Sequence, residues 1–122
     1  LEMIKANTQY EWINLQTDCA PEEESQLISA GVKAYPGTIN SWDDTAGLLS
    51  HLDVVIAVDT AVGHLAGALG RPFWLPLNQF GQDWRWLLKR NDSPWYPTCT
   101  LFRKSKIDDW DETIEDTKTK IA

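Results

Sequence analysis

The stretch that most constrains this chain is DVVIAV at 53–58, which runs without a break into DTAVGHLAGALG at 59–70. An uninterrupted run of β-branched residues reads as a strand buried on both faces. The Gly- and Ala-rich segment that follows reads as a helix over Ala61–Leu69, closed by Gly70. A buried strand that feeds directly into a helix is the building unit of an open parallel sheet, because parallel neighbours need a crossover between them.

The rest of the chain alternates in the same way. Tyr10–Gln16 reads as a first strand, with Trp12, Ile13 and Leu15 supplying β-favouring bulk. Pro21 opens a helix whose first turn carries Glu22–Glu24 at the positive dipole end, and Gly31 stops it. Val32–Tyr35 is a second strand ending at the turn Pro36-Gly37. Ser41 caps a third segment with Asp44 in a capping-box position, and Trp42, Ala46, Leu49 and Leu52 recur there at helical spacing. Phe73–Leu77 is a fourth strand, 83–90 a short helix and Thr100–Arg103 a fifth strand. A closing helix runs over Asp109–Ile121, with Trp110, Ile114 and Ile121 near one face. The pattern predicts one α/β domain over 1–122, a Rossmann-like parallel sheet flanked by helices. Residues 78–99 form its long irregular connection, and loops of that length in compact domains are usually functional.

Charge narrows the choice of partner. The chain carries a net charge of −7, yet six of its eleven bases fall within 83–106 against two acids. An acidic whole argues against nucleic acid or an anionic membrane surface as partner. The local basic stretch suits a small anion such as a diphosphate, or else is a solvated face. No apolar run has the length of a membrane span, and the N-terminus lacks the layout of a signal peptide. Cys19 and Cys99 are too far apart in sequence for a metal knuckle or a redox pair, so two free thiols in a cytoplasmic setting are expected. The first residue is Leu1, and the expectation is a piece of a longer chain.

Chemistry concentrates at the strand-to-helix junction. Ligands of open parallel sheets bind beyond the carboxyl ends of the strands, which is where Asp59 and Thr60 fall. The first helical turn, through Ala61, Val62 and Gly63, offers unpaired backbone N–H groups and a positive dipole end. Gly63, Gly67 and Gly70 leave one helix face bare, suited to close packing on the sheet, to close approach of a ligand, or to both. His64 lies about one turn in, placed to donate to a phosphate oxygen or protonate a leaving group; a structural role is the alternative. His51 has no such context. Trp84 and Arg85 follow the strand that faces the site and suit a nucleobase and a phosphate, whereas Trp86 and Trp95 read as packing residues.

The string DVVIAVDTAVGHLAGALGRP resembles the C-terminal half of glycosyltransferases similar to the ADP-heptose–lipopolysaccharide heptosyltransferases, family 9. That family has a strand ending in Asp-Thr/Ser, a small residue, and His five residues after the Asp. The strings DWRWLL, DSPWYPT and LFR, and the final DW, resemble the variant often fused to tetratricopeptide repeats. The resemblance implies a GT-B architecture of two Rossmann-like domains, of which this one binds a nucleotide-sugar donor. Backbone groups of Thr60, Ala61 and Val62 would then hold the diphosphate, with His64 assisting and Asp59 on the donor sugar. Gln16 and Thr17 would line the same cleft, although the Lys that often follows that Gln is absent from Gln16-Thr17-Asp18.

The same resemblance puts the catalytic base in an N-terminal domain that does not precede these strands. The catalytic residue is therefore unknown, and the chain is expected not to turn over alone. Neither cofactor nor metal is expected beside the nucleoside-diphosphate sugar. Expected partners are the N-terminal glycosyltransferase domain, tetratricopeptide repeats, and a second copy of the chain through exposed Trp and Leu. Two other readings compete. A non-catalytic Rossmann-like interaction domain fits the Trp-rich surface. A signalling receiver, with Asp59 as phosphoacceptor and Lys104 as its lysine, lacks the acidic pair after the first strand and a Ser/Thr after Pro76-Leu77.

Overall fold

Local sequence chemistry accounts for most of the helices in the computed structural model, which describes residues 1–78, 82–104 and 110–121. Residues 79–81 of the long connection, Lys106 of the basic stretch and Asp109, where the closing helix was expected to start, lie outside these. After a short first helix, α1 (Glu2–Ala6), α2 (Pro21–Ser29) starts at the proline and ends before Gly31, whose φ of 86° only glycine adopts without strain. Ser41 Oγ accepts from Asp44 N–H at 3.1 Å and donates to Asp44 Oδ2 at 2.8 Å, fixing the start of α3 (Trp42–Leu49). Leu49 is fully buried, whereas Trp42, expected on the same face, is exposed.

The chain forms two compact units, Leu1–Thr45 with Ile121, and Ala46–Lys120. In the first, the two expected strands at 10–16 and 32–35 reduce to a single parallel bridge between Ile13 and Lys33. Asn14 N–H donates to Lys33 carbonyl and Lys33 N–H to Trp12 carbonyl, both at 2.8 Å. The next donor is diverted: Gln16 N–H goes to the Asn14 side chain at 3.0 Å, a local bond that competes with a ladder.

The second unit holds a parallel sheet of β1 (Val55–Ile56), β2 (Phe73–Leu77) and β3 (Cys99–Arg103), in that order. This is the α/β, Rossmann-like fold read from the sequence, but β1 is shorter than the six-residue run that announced it. Phe73 N–H points to β3, bonding Thr98 carbonyl, so by alternation Trp74 and residue 76 face β1. Residue 76 is a proline with no N–H to give, and the ladder to β1 stops there. Burial on both faces fails as well, since Val55 is buried and Val58 is half exposed. Phe73, Leu75 and Leu77 of β2, with Leu101 and Phe102 of β3, form the core of the sheet.

From β1 the chain enters α4 (Ala61–Ala68), which packs on β1 and β2 and ends at Gly70 with φ 66°. The helix expected over 83–90 is only a 3-10 turn, Trp84–Trp86. Asp83 caps it, and left-handed Leu87 (φ 53°) and Lys89 (φ 59°) prevent its extension. The closing helix α5 (Asp111–Ile121) buries Thr113, Thr117 and Ile121 rather than Ile114. Thr117 keeps its hydroxyl satisfied by donating to Thr113 carbonyl at 2.8 Å.

Candidate functional site

At the end of β1 the backbone turns through Asp59 and Thr60 into α4. Thr60 is the helix N-cap in an extended conformation, and its hydroxyl donates back to Val58 carbonyl at 3.2 Å rather than forward into the helix. Its carbonyl accepts from Gly63 N–H at 3.1 Å and His64 N–H at 3.4 Å. The N–H groups of Ala61 and Val62 have no acceptor among the described residues, as the first turn of a helix requires.

His64 is the most constrained side chain here. Its ring stacks on the fully buried Trp86, with centroids 5.0 Å apart and planes 24° apart. Nδ1 lies 3.0 Å from the Tyr96 hydroxyl, and Nε2 lies 3.6 Å from Asp59 Oδ1. Asp59 and His64 side chains remain 29% and 28% exposed, enough for both to meet a ligand. The Tyr96 ring rests on the helix where Gly67 leaves room: a Cβ there would fall 2.5 Å from the ring. Phe73 completes the cluster, edge-on to both Trp86 and Tyr96. The bare face anticipated from sequence thus has two uses, with Gly63 toward Leu75 and Phe73 of the sheet and Gly67 toward Tyr96.

A loop after β2 forms the second wall. Asp83 N–H donates to Asp59 Oδ2 at 3.2 Å, tying the loop to the end of β1. Asp83 Oδ1 accepts from Arg85 N–H at 2.9 Å, and Oδ1 and Oδ2 both accept from Arg85 Nη1, at 3.1 and 3.0 Å. These bonds, the backbone one foremost, hold its carboxyl below the usual carboxylate range, with Arg85 and His64 charges acting in the same direction. Arg85 lies over the exposed Trp84 ring at 4.5 Å, and Trp95 meets Trp84 edge-on at 4.7 Å. Trp86 packs as the sequence suggested, but Trp95 is half exposed and touches Trp84 instead of joining the core.

Arg103, at the end of β3, fastens this loop from behind. Its guanidinium donates to Gln82 Oε1 at 2.6 Å and to the carbonyls of Arg90, Trp86 and Leu87 at 2.6, 2.7 and 3.0 Å. Neither Arg103 nor Tyr96 was legible as a site residue, because both act on the site through sequence-distant partners. The signal for Tyr96 was Gly67, which has no Cβ where a large ring needed space.

Asp59, Thr60, Ala61, Val62, Gly63, His64, Trp84 and Arg85 thus belong to one unit, and ion pairs or hydrogen bonds link Asp59 to His64 and Asp83. Gln16 and Thr17 belong to the other unit and are exposed. His51 is exposed at the end of α3 with Nδ1 2.9 Å from Gly47 carbonyl. Lys104 is buried with its ammonium 4.4 Å from the Trp110 ring, while both oxygens of Asp59 face His64 and Asp83. No helix is long and apolar enough to cross a membrane among the described residues. Nor, among them, do three or more His, Cys, Asp or Glu gather as a metal set.

The segment that builds the junction, from the cap of α3 through β1 and α4 into β2, resembles a known family. Residues 40–74 match glycosyltransferase family 9 (heptosyltransferase). The chain is also 31% identical over 108 residues to Protein FlbA of Caulobacter vibrioides, an alignment covering 84% of this chain. It spans only 18% of the length of that relative. No solved structure matches the chain. The family 9 match encloses the whole of Asp59–His64.

Proposed function

We infer that this chain is the donor-binding part of a family 9-like glycosyltransferase of GT-B type, taking a nucleoside-diphosphate sugar. The observation that carries the reading is the coincidence of the family 9 match with the junction where Asp59, His64 and the open first turn of α4 meet. Each part has a chemical use. The free N–H groups of Ala61 and Val62 suit the diphosphate, since a helix start concentrates donors and positive potential. His64 donates to a phosphate or bridging oxygen, and Asp59 accepts from a sugar hydroxyl. The exposed Trp84 ring, backed by Trp95 and flanked by Arg85, offers a face for the nucleobase and a charge for its phosphate. In this reading the base that activates the acceptor comes from another domain, so the chain binds donor without turning it over.

A two-dimensional NMR titration of the labelled chain with ADP, GDP and UDP, with and without Mg²⁺, tests this. The expected result is shifts at 60–64 and at the Trp84 indole for one nucleotide. Absence of any shift at millimolar concentration, in this chain and in the full-length protein alike, would favour a non-catalytic interaction domain.

A further inference from the structure

We propose that Tyr96 is a positioning residue for His64, holding its imidazole in the Nε2–H form so that this nitrogen donates to an oxygen of an anionic, hydroxylated ligand. The argument begins with the ring's two sides. Nδ1 lies 3.0 Å from the Tyr96 hydroxyl, a full hydrogen bond, and that hydroxyl has no other partner among the described residues. Nε2 faces the Asp59 carboxylate at 3.6 Å, beyond hydrogen-bond reach yet near enough to favour a hydrogen on that nitrogen. A phenol O–H is a stronger donor than an imidazole N–H, and an imidazole nitrogen a stronger acceptor than a phenol oxygen, so the tyrosine hydroxyl donates and Nδ1 accepts. The one hydrogen of the neutral ring then sits on Nε2, a placement the Asp59 charge only reinforces. The Nε2 hydrogen then has no bonded partner, and the nearby Asp59 oxygen can accept from a ligand hydroxyl.

The surroundings keep the ring from exchanging its two nitrogens. Trp86 is fully buried beneath it, and Tyr96 cannot retreat because its ring is wedged between α4 and Phe73. Gly67 makes the wedge feasible, since any Cβ there would lie 2.5–2.6 Å from ring carbons of Tyr96. A histidine that supplies a hydrogen bond on demand needs its tautomer set before the ligand arrives, and a second-side hydrogen bond is the usual means. The ligand class rests on the donor-binding reading above, whereas the tautomer is a property of the unliganded chain.

That independence decides the experiment. Long-range ¹H–¹⁵N NMR of the histidine rings, above the pH at which they titrate, reports which nitrogen carries hydrogen. His51 is an internal standard, because its Nδ1 faces Gly47 carbonyl, which only accepts, and so must carry the hydrogen. The expected spectrum shows His51 as Nδ1–H and His64 as Nε2–H. In Tyr96→Phe, which keeps the ring and loses only the hydroxyl, His64 becomes a mixture of tautomers. Asp59→Ala, which leaves the tyrosine bond intact, keeps a single Nε2–H form. The proposal is overturned if His64 is Nδ1–H in the unaltered chain, if Tyr96→Phe matches it, or if Asp59→Ala alone produces the mixture. Nucleoside diphosphate affinity of Tyr96→Phe is expected to fall about fivefold. If the unaltered chain binds no nucleotide, the donor reading fails while the tautomer result still stands or falls on its own.

Discussion

The backbone N–H of Asp83 donates to the Asp59 carboxylate at 3.2 Å, so the residue just before the cap of α4 also fixes the start of the loop after β2. The next carboxylate along, that of Asp83 itself, folds back onto Arg85 N–H and the Arg85 guanidinium. Two acids in series therefore hold the segment that presents Trp84.

That arrangement gives the loop an acid limit. The Asp83 carboxyl is held below its ordinary range, first by the Arg85 N–H bond. A depressed carboxyl contributes stability that is present above its unfolded value, near ~3.9, and is lost as pH falls through the folded value. Acidification below ~4 is expected to release the 82–86 segment, read as a change in tryptophan fluorescence. Asp83→Asn, which cannot titrate, is expected to lack that transition; an identical pH curve in the variant would refute the assignment.

Arg103 supplies the largest single set of bonds to the same loop. Its planar fork serves three carbonyls and the Gln82 side chain at once, which a lysine ammonium does not reproduce. Arg103→Lys is expected to cost about 1–2 kcal/mol and Arg103→Ala about 2–3 kcal/mol, measured by urea denaturation. The Leu87 and Lys89 left-handed conformations should relax with it, seen as faster amide exchange over 84–90.

Sequence periodicity revealed α2, α4, β2 and β3 nearly to the residue, because each is bounded by its own punctuation: Pro21 and Gly31, Thr60 and Gly70, Pro72 before β2. It overextended β1, where the limit lies in a neighbour: Pro76 on β2 has no N–H for the next rung. It missed the loop's true form for a related reason. DWRWLLKR has helical composition, yet Asp83 is pulled to Asp59 and the carbonyls of Trp86 and Leu87 to Arg103, which leaves room for one 3-10 turn. The Asp59–His64 junction was legible because it is local; Tyr96, 32 residues from His64, was not.

The two helical glycines separate by what each faces. A Cβ on Gly63 would meet Leu75 Cδ1 at 3.4 Å, an ordinary contact, while one on Gly67 would collide with Tyr96 and reach Phe73 at 3.0 Å. Gly63→Ala is expected to lie within about 1 kcal/mol of the unaltered chain, the helix-propensity gain offsetting any squeeze. Gly67→Ala is expected to lose about 1–3 kcal/mol by overpacking. Thermal denaturation of the pair checks the order, and equal melting temperatures would refute it.

Thiol chemistry offers an independent check on the core. Burial pushes the Cys99 thiol up to about 12, whereas Cys19 is only partly covered. At pH 8 the Cys99 thiolate fraction is then on the order of 10⁻⁴, and the thiolate is the reactive form. Native protein is expected to release one equivalent of chromophore promptly with a disulfide reagent, and two after denaturation. Prompt reaction of both thiols in the native state would mean that β3 is open to solvent.

Trp84 and Trp86, two residues apart, should fail in opposite ways. Trp86 is fully buried against His64, Phe73 and Tyr96, so Trp86→Ala is expected to cost about 3–5 kcal/mol and to take the His64 geometry with it. Trp84 is 59% exposed and touches Arg85 and Trp95 alone among the described rings and cations. Trp84→Ala is expected to change stability by less than about 1 kcal/mol. If its face carries the nucleobase, nucleotide affinity falls about tenfold, because base–aromatic stacking contributes ~1–3 kcal/mol. Calorimetric titration against the nucleotide selected by NMR, with denaturation run in parallel, reads both quantities. A Trp84→Ala variant that binds as tightly as the unaltered chain removes the base from this ring and leaves only the α4 end as the ligand contact.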